Sequence, residues 1–314
     1  MLRSENGRPI TSAEGMHLLT LGTGAKPGEP FRGQNIRQAG DEAVIGEILI
    51  PAGVVLNSAH VALAATAGRD ELEVFGTPRV KVVLTGSEVV TSGIPAPGQV
   101  RDTFGPQLGT TIGLLGATCS EQLRIGDSYE EWLGALKGAV SPDGQPSDVV
   151  ISTGGTGQSD ADHFRDAVRA LGGRLLIDGI AMRPGHPAAL AVLPDGRFAI
   201  GLPGNPLAAM MALFTIGAPL FAALAHRSLS SIAEVPCGAS IDPHPGRTRL
   251  IPVHLADGRA IPVNQTGPGM MRGLSTAHGI MVVPPEGVRH GSKARVLPLP
   301  WDIHGNGRWP AWDG

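Results

Sequence analysis

Four turns hold the residues with chemical potential. Residues 154–157 read Gly-Gly-Thr-Gly and follow the apolar run Val149-Val150-Ile151. Gly154, Gly155, Thr156 and Gly157 can aim several backbone N–H groups at a phosphate, as Gly-rich turns before helices do. The acid-rich stretch Ser159-Asp160-Ala161-Asp162 comes next and reads as the first turn of a helix. Acids there either offset the helix dipole or sit beside a phosphate as Mg²⁺ ligands. In Met182-Arg183-Pro184-Gly185-His186-Pro187, Pro and Gly fix the backbone around Arg183. Its fork of donors suits a tetrahedral oxyanion, and His186 offers a second donor. In Gly201-Leu202-Pro203-Gly204-Asn205-Pro206, Asn205 fits a helix cap and Pro206 the first helical turn.

Glu88 ends Leu84-Thr85-Gly86-Ser87-Glu88, and Asp102 and Asp127 lie in loops expected at the same edge. Each of these features also has a plain structural reading: a tight connection, a cap, a solvated carboxylate, a surface turn. HExxH, CxxC, the G-x-S-x-G elbow and the P-loop Lys are all missing from the sequence.

The elements that position these turns read from periodicity. Residues 1–75 read as β structure with loops, with short strands at 47–50 and 72–75 and a helix over 59–68. From 76 to 227, strands near 80–84, 118–125, 148–152, 174–177, 189–193 and 198–201 alternate with helices. Helical spacing marks Phe104, Leu108, Ile112 and Leu115, then Trp132, Leu133 and Leu136, then Phe164, Val168 and Leu171. The alternation predicts an α/β domain with a mostly parallel sheet, whose ligand edge lies at the carboxyl ends of its strands. Residues 228–300 are rich in Pro and Gly and read as a small all-β domain, and 301–314 as a loose tail.

The formal net charge of −3 and the absence of Lys/Arg runs argue against nucleic-acid or membrane-surface binding. Leu207 to Ala225 carries no charge and is long enough to span a bilayer. Its alanines, Gly217 and Pro219 make it a buried domain helix instead. Cys119 and Cys237 have no ligand spacing and read as free thiols of a reducing cytosol. The polar N-terminus lacks the apolar core of a secretion signal.

These motifs together resemble the molybdopterin molybdenumtransferase family, the MoeA proteins and the gephyrin E domain. The resemblance is carried by residues 201–206 (GLPGNP), 182–187 (MRPGHP), 151–155 (ISTGG) and 84–88 (LTGSE). Arg32 to Arg37 and Ile50 to Gly53 are similar to the segment leading into the family's central domain.

The resemblance implies a MogA-like central domain, a partial N-terminal β region and a C-terminal small β-barrel. It implies a cytoplasmic homodimer that takes adenylylated molybdopterin and molybdate, assisted by Mg²⁺, and releases AMP. A MogA-like adenylyltransferase is the implied partner. It implies functional acids at Glu88, Asp127 and Asp162, with Glu88 and Asp162 on the metal. It implies an oxyanion set of Arg183, His186 and Arg247, and a cleft lined by Pro203, Gly204, Asn205 and Pro206. The match begins inside the family's N-terminal lobed domain, so a shortened member is expected. Gly179 and His186 stand where relatives carry Lys. Thr153 to Gly157 looks like the sister adenylyltransferases. Two other readings stay open: a molybdopterin-binding protein without turnover, and a molybdopterin adenylyltransferase.

Overall fold

In the computed structural model, which describes residues 3–138, 140–157 and 162–302, the chain divides into two units, Met1–Val74 and Phe75–Gly314. In the first, β1 (Gly7–Thr11) and β2 (His17–Leu21) form an antiparallel hairpin. Helix α1 (Ser58–Thr66) starts on a reciprocal cap: the Asn57 side chain accepts from the His60 amide, and His60 Nδ1 accepts from the Asn57 amide. Ala64 is the one buried hydrophobic residue among the described residues of this unit. The strands expected at 47–50 and 72–75 do not form. Neither run finds a neighbouring ladder for its backbone groups, and Pro51 directly follows the first.

The second unit is built on the apolar runs between the turns. In chain order come β3 (Arg79–Leu84), β4 (Val89–Val90), β5 (Val100–Arg101), α2 (Gly105–Leu114), β6 (Thr118–Arg124), α3 (Tyr129–Lys137) and β7 (Val149–Thr153). Then follow α4 (Phe164–Ala170), β8 (Arg174–Asp178), β9 (Met182–Arg183), β10 (Ala189–Val192) and β11 (Phe198–Leu202). The six-stranded sheet runs β6-β3-β7-β11-β10-β8. Five of the six strands point the same way, four of them joined in parallel ladders, and both faces are covered, which is why β3 and β7 are buried along almost their whole length.

The sheet is mixed, not parallel throughout: β10 runs antiparallel to both β11 and β8. The reason is local. Leu193 to Arg197 closes as a tight hairpin through Leu193 N–H to Arg197 C=O at 2.8 Å, and a parallel return needs a crossover of about a dozen residues.

One sheet face packs Leu108, Ile112, Leu207, Met210 and Phe221. The other packs Trp132, Leu136, Phe164 and Val168. The long apolar helix comprises α5 (Pro206–Ala212), a π turn (Leu213–Gly217) and α6 (Ala218–Leu224). It is long and apolar enough to cross a membrane, and 67% of its most apolar window is buried inside this domain.

The C-terminal part contains β12 (Ala233–Pro236), β13 (Thr248–Ala256), β14 (Arg259–Pro262), β15 (Gly279–Val283) and β16 (Lys293–Pro298). Its sheet runs β12-β16-β15-β13-β14. A bridge between Cys237 and Ala260, with Gly238 N–H donating to Ala260 C=O at 2.8 Å, ties the two outer strands together. One helical turn, α7 (Arg272–Ser275), interrupts what reads as purely β in the sequence. Strand β9 leaves the α/β body and pairs with β13, Arg183 beside Arg249. Trp301, expected in the loose tail, packs edge-on against Phe214 at 5.7 Å between centroids. Trp309 and Trp312 lie outside the described residues.

Candidate functional site

Sheet order alone brings the candidate turns together. In register, Arg124 lies beside Leu84, Leu84 beside Thr153, and Thr153 beside Leu202. The loops after β6, β3, β7 and β11 therefore leave one edge side by side, at the carboxyl ends of four parallel strands. They enclose a crevice of about 760 Å³. Its walls include Glu88, Asp127, Asp162, Gly154 to Gly157 and Pro203 to Pro206.

The glycine turn departs from ordinary backbone. Gly154 and Gly155 have φ of 78° and 67°, a region where a side chain is strained. A Cβ on Gly155 would also run into the indole of Trp132, which is fully buried beneath it. Gly154 N–H donates to Leu202 C=O at 2.9 Å, tying this turn to the one at 203–206. The Gly155 and Thr156 amides find no acceptor among the described residues.

Arg165, which sequence reasoning did not single out, ties the turn down. Its Nη1 donates to Thr156 C=O at 2.6 Å and its Nε to Asp178 at 2.5 Å. The signal available in the sequence was only an arginine in the next helix. Helix α4 begins at Phe164, so Asp162 precedes it instead of occupying its first turn. Asp160 lies outside the described residues.

The acids divide by what they already hold. Asp127 Oδ2 accepts from Ser87 N–H at 3.0 Å and so orders the loop that carries Glu88. Asp102 accepts from the Phe104 and Gly105 amides at 2.9 and 3.0 Å, capping α2, and pairs with Arg124 at 2.5 Å. Glu88 is exposed in the crevice wall. Among the described residues, no three His, Cys, Asp or Glu side chains converge as a metal cluster.

The cations go elsewhere. Arg183, His186 and Arg247 are not among the residues lining the crevice. Arg183 Nη1 lies 3.0 Å from His244 Nε2, in the C-terminal part. His186 Nδ1 donates to Ile180 C=O at 2.7 Å. The crevice contains instead Arg101 and Arg124, neither marked by any motif. The start of the long helix is also occupied. Leu207 and Ala208 N–H donate to Pro268 C=O at 2.9 and 3.2 Å, and Asn205 makes no side-chain cap. Its first amides therefore face a protein carbonyl and not an open anion site. Burial raises the pKa of the Cys119 thiol, outweighing its hydrogen bonds, so it stays protonated.

The chain therefore carries an open α/β sheet with a glycine turn at its ligand edge, followed by a small β domain. Residues 81–223 match the family described as "Probable molybdopterin binding domain", and 234–299 match "MoeA C-terminal region (domain IV)". These two domains in this order, with the similarities below, show that the chain belongs to the MoeA family. A molybdopterin molybdenumtransferase of Staphylococcus aureus (strain MSSA476) is 31% identical over 182 residues, 57% of this chain and 42% of that protein. One from Staphylococcus epidermidis (strain ATCC 12228 / FDA PCI 1200) is 31% identical over 176 residues, 56% and 41% of the two chains. The chain thus spans about two fifths of the curated relatives it matches. The fold is that of a molybdopterin biosynthesis MoeA protein from Pyrococcus horikosii. The TM-score is 0.69 at 24% identity, covering 95% of this chain and 71% of that one.

Proposed function

We propose that this chain inserts molybdenum into molybdopterin. Its substrates are adenylylated molybdopterin and molybdate; AMP leaves, and molybdenum stays on the dithiolene. One observation carries the reading: a strained glycine turn with uncommitted amides shares a crevice with several carboxylates, in a chain of this family. The turn at 154–157 takes a phosphate of the pterin, and Pro203, Gly204, Asn205 and Pro206 wall the same cleft. Asp127 holds the Glu88 loop in place. Arg183, His186 and Arg247 serve the molybdate oxyanion.

The donor set suits Mg²⁺: it is all oxygen, and Mg²⁺ commonly takes one or two carboxylates and fills its shell with phosphate and water. Glu88 and Asp162 would hold it, and it would neutralise charge on the phosphates as AMP departs. The working form is a cytoplasmic homodimer supplied by a MogA-like adenylyltransferase. The test is AMP release from adenylylated molybdopterin with molybdate and Mg²⁺. Release no faster than from a Glu88→Ala, Asp162→Ala double variant rules out the reaction.

A second reading, molybdopterin binding without turnover, is favoured by the engagement of Arg183 with His244 and its place outside the crevice. Tight pterin binding with no AMP release selects it. The adenylyltransferase reading is separated by supplying ATP and free molybdopterin and measuring adenylylation.

A further inference from the structure

We infer that Arg101 reads the second phosphate of a diphosphate-bridged ligand, while the Gly154 to Gly157 turn holds the first. The inference rests on the function proposed above and names the residue that separates a diphosphate from a monophosphate. Four carboxylates line the crevice, Glu88, Asp102, Asp127 and Asp162, against two cations among the described residues, Arg101 and Arg124. Arg124 is committed to Asp102 at 2.5 Å. Among the described residues Arg101 has no carboxylate partner. Its side chain makes one bond, from Nη1 to the Val90 carbonyl at 3.4 Å, the weak end of the range.

The strand that carries it fixes where the side chain starts. Arg101 ends β5 in register with Val90 of β4, and Asp102 N–H donates to Val90 C=O at 2.9 Å. The next residue, Asp102, is locked by its cap and its ion pair. An exposed guanidinium therefore stands on a fixed backbone at the rim of an acidic crevice.

A single phosphate can be met by the uncommitted Gly155 and Thr156 amides. A second phosphate brought among four carboxylates meets like charge unless a cation accompanies it. Arg183 and His186 are engaged outside the crevice, so among the described side chains Arg101 is the cation left to do this beside the Mg²⁺ that Glu88 and Asp162 would hold. Its planar fork matches two phosphate oxygens at once.

The test is calorimetric binding of AMP, ADP, phosphate and pyrophosphate to the full chain in EDTA, so that no divalent cation contributes. Wild type is expected to bind ADP about tenfold more tightly than AMP, one charge-assisted pair's worth. Arg101→Ala should erase that ratio, weakening ADP about tenfold and AMP less than twofold, and Arg101→Lys should restore part of it. A role in folding alone would not change the ADP/AMP ratio. Gly155→Val should weaken both nucleotides together. If wild type shows no ADP preference, or Arg101→Ala leaves the ratio unchanged while both nucleotides bind, this inference is overturned and the proposed function stands. If neither nucleotide nor pterin binds wild type, both fall.

Discussion

Replacing Gly155 by Ala asks whether the crevice rests on the backbone described above. Two costs add. Holding an L-residue at φ 67° costs about 1–2 kcal/mol. The new methyl meets the Trp132 indole, which is 1% exposed and packed against Phe164 at 6.5 Å between centroids. Overpacking of that kind costs about 1–3 kcal/mol. The expected total is about 2–5 kcal/mol, a large share of a domain's stability. Urea unfolding reports it as a fall in midpoint at constant slope. A double-mutant cycle separates the two terms. In a Trp132→Leu background the steric part should vanish, leaving only about 1–2 kcal/mol for Gly155→Ala. If Gly155→Ala costs under about 0.5 kcal/mol in wild type, or the two substitutions are strictly additive, then Gly155 does not sit on Trp132 and the glycine turn is not the strained cradle argued for here.

Three further outcomes follow from the same contacts. Asp102→Ala removes the cap on α2 and the Arg124 pair, and should lower stability by about 1–3 kcal/mol, read as a drop in Tm. Burial acts to raise the Asp195 pKa, but hydrogen bonds from Arg197 outweigh it and the net shift is downward. A carboxyl depressed in the folded state contributes stability above its unfolded pKa of about 3.9 and loses it as pH falls through the folded value. Asp195→Asn should therefore cost stability near neutrality and flatten its acid dependence below about pH 4 in pH-dependent denaturation. Arg183→Ala should leave AMP affinity within about twofold, since Arg183 lies outside the crevice, yet lower molybdate-dependent AMP release about tenfold. Equal losses in both measurements would place Arg183 in the nucleotide site instead.

The α/β body was legible because its signals are local and redundant. Val80 to Leu84, apolar but for Lys81, and Val149 to Ile151 are runs too short for helices, each followed within three residues by glycine, and parallel strands buried on both faces read that way. Once those strands are adjacent, the positions of Glu88, Gly154 and Pro203 follow from register with no further information. The antiparallel β10 was not legible, because strand direction depends on the length of the Leu193 to Arg197 turn and not on the strand's own residues. The missing strands at 47–50 and 72–75 fail for a related reason: an apolar run specifies extended backbone only where a neighbouring ladder exists to receive it. The partner of the first amides of α5 was not legible either. Asn205-Pro206 is a good helix start in isolation, but the acceptor for those amides, Pro268, comes from a loop about sixty residues further on.

The same distinction explains the cations. A motif reports where the backbone turns, and Arg183-Pro184-Gly185 does place a guanidinium at a fixed turn. Where that guanidinium points is decided by β9 leaving the α/β body to pair with β13, which presents Arg183 to His244 and sets it beside Arg249. Arg101 has the opposite history. No motif marks it, yet the register of β4 and β5 sets it at the rim of the acidic crevice with no carboxylate to pair among the described residues. The two arginines therefore fall in different places: Arg183 at the junction with the C-terminal part, and Arg101 at the acidic crevice. The proposed reaction, which would bind a diphosphate-linked pterin and a separate oxyanion, needs two cationic loci, one for each anion, and a single merged cluster would let the two anions compete for the same donors.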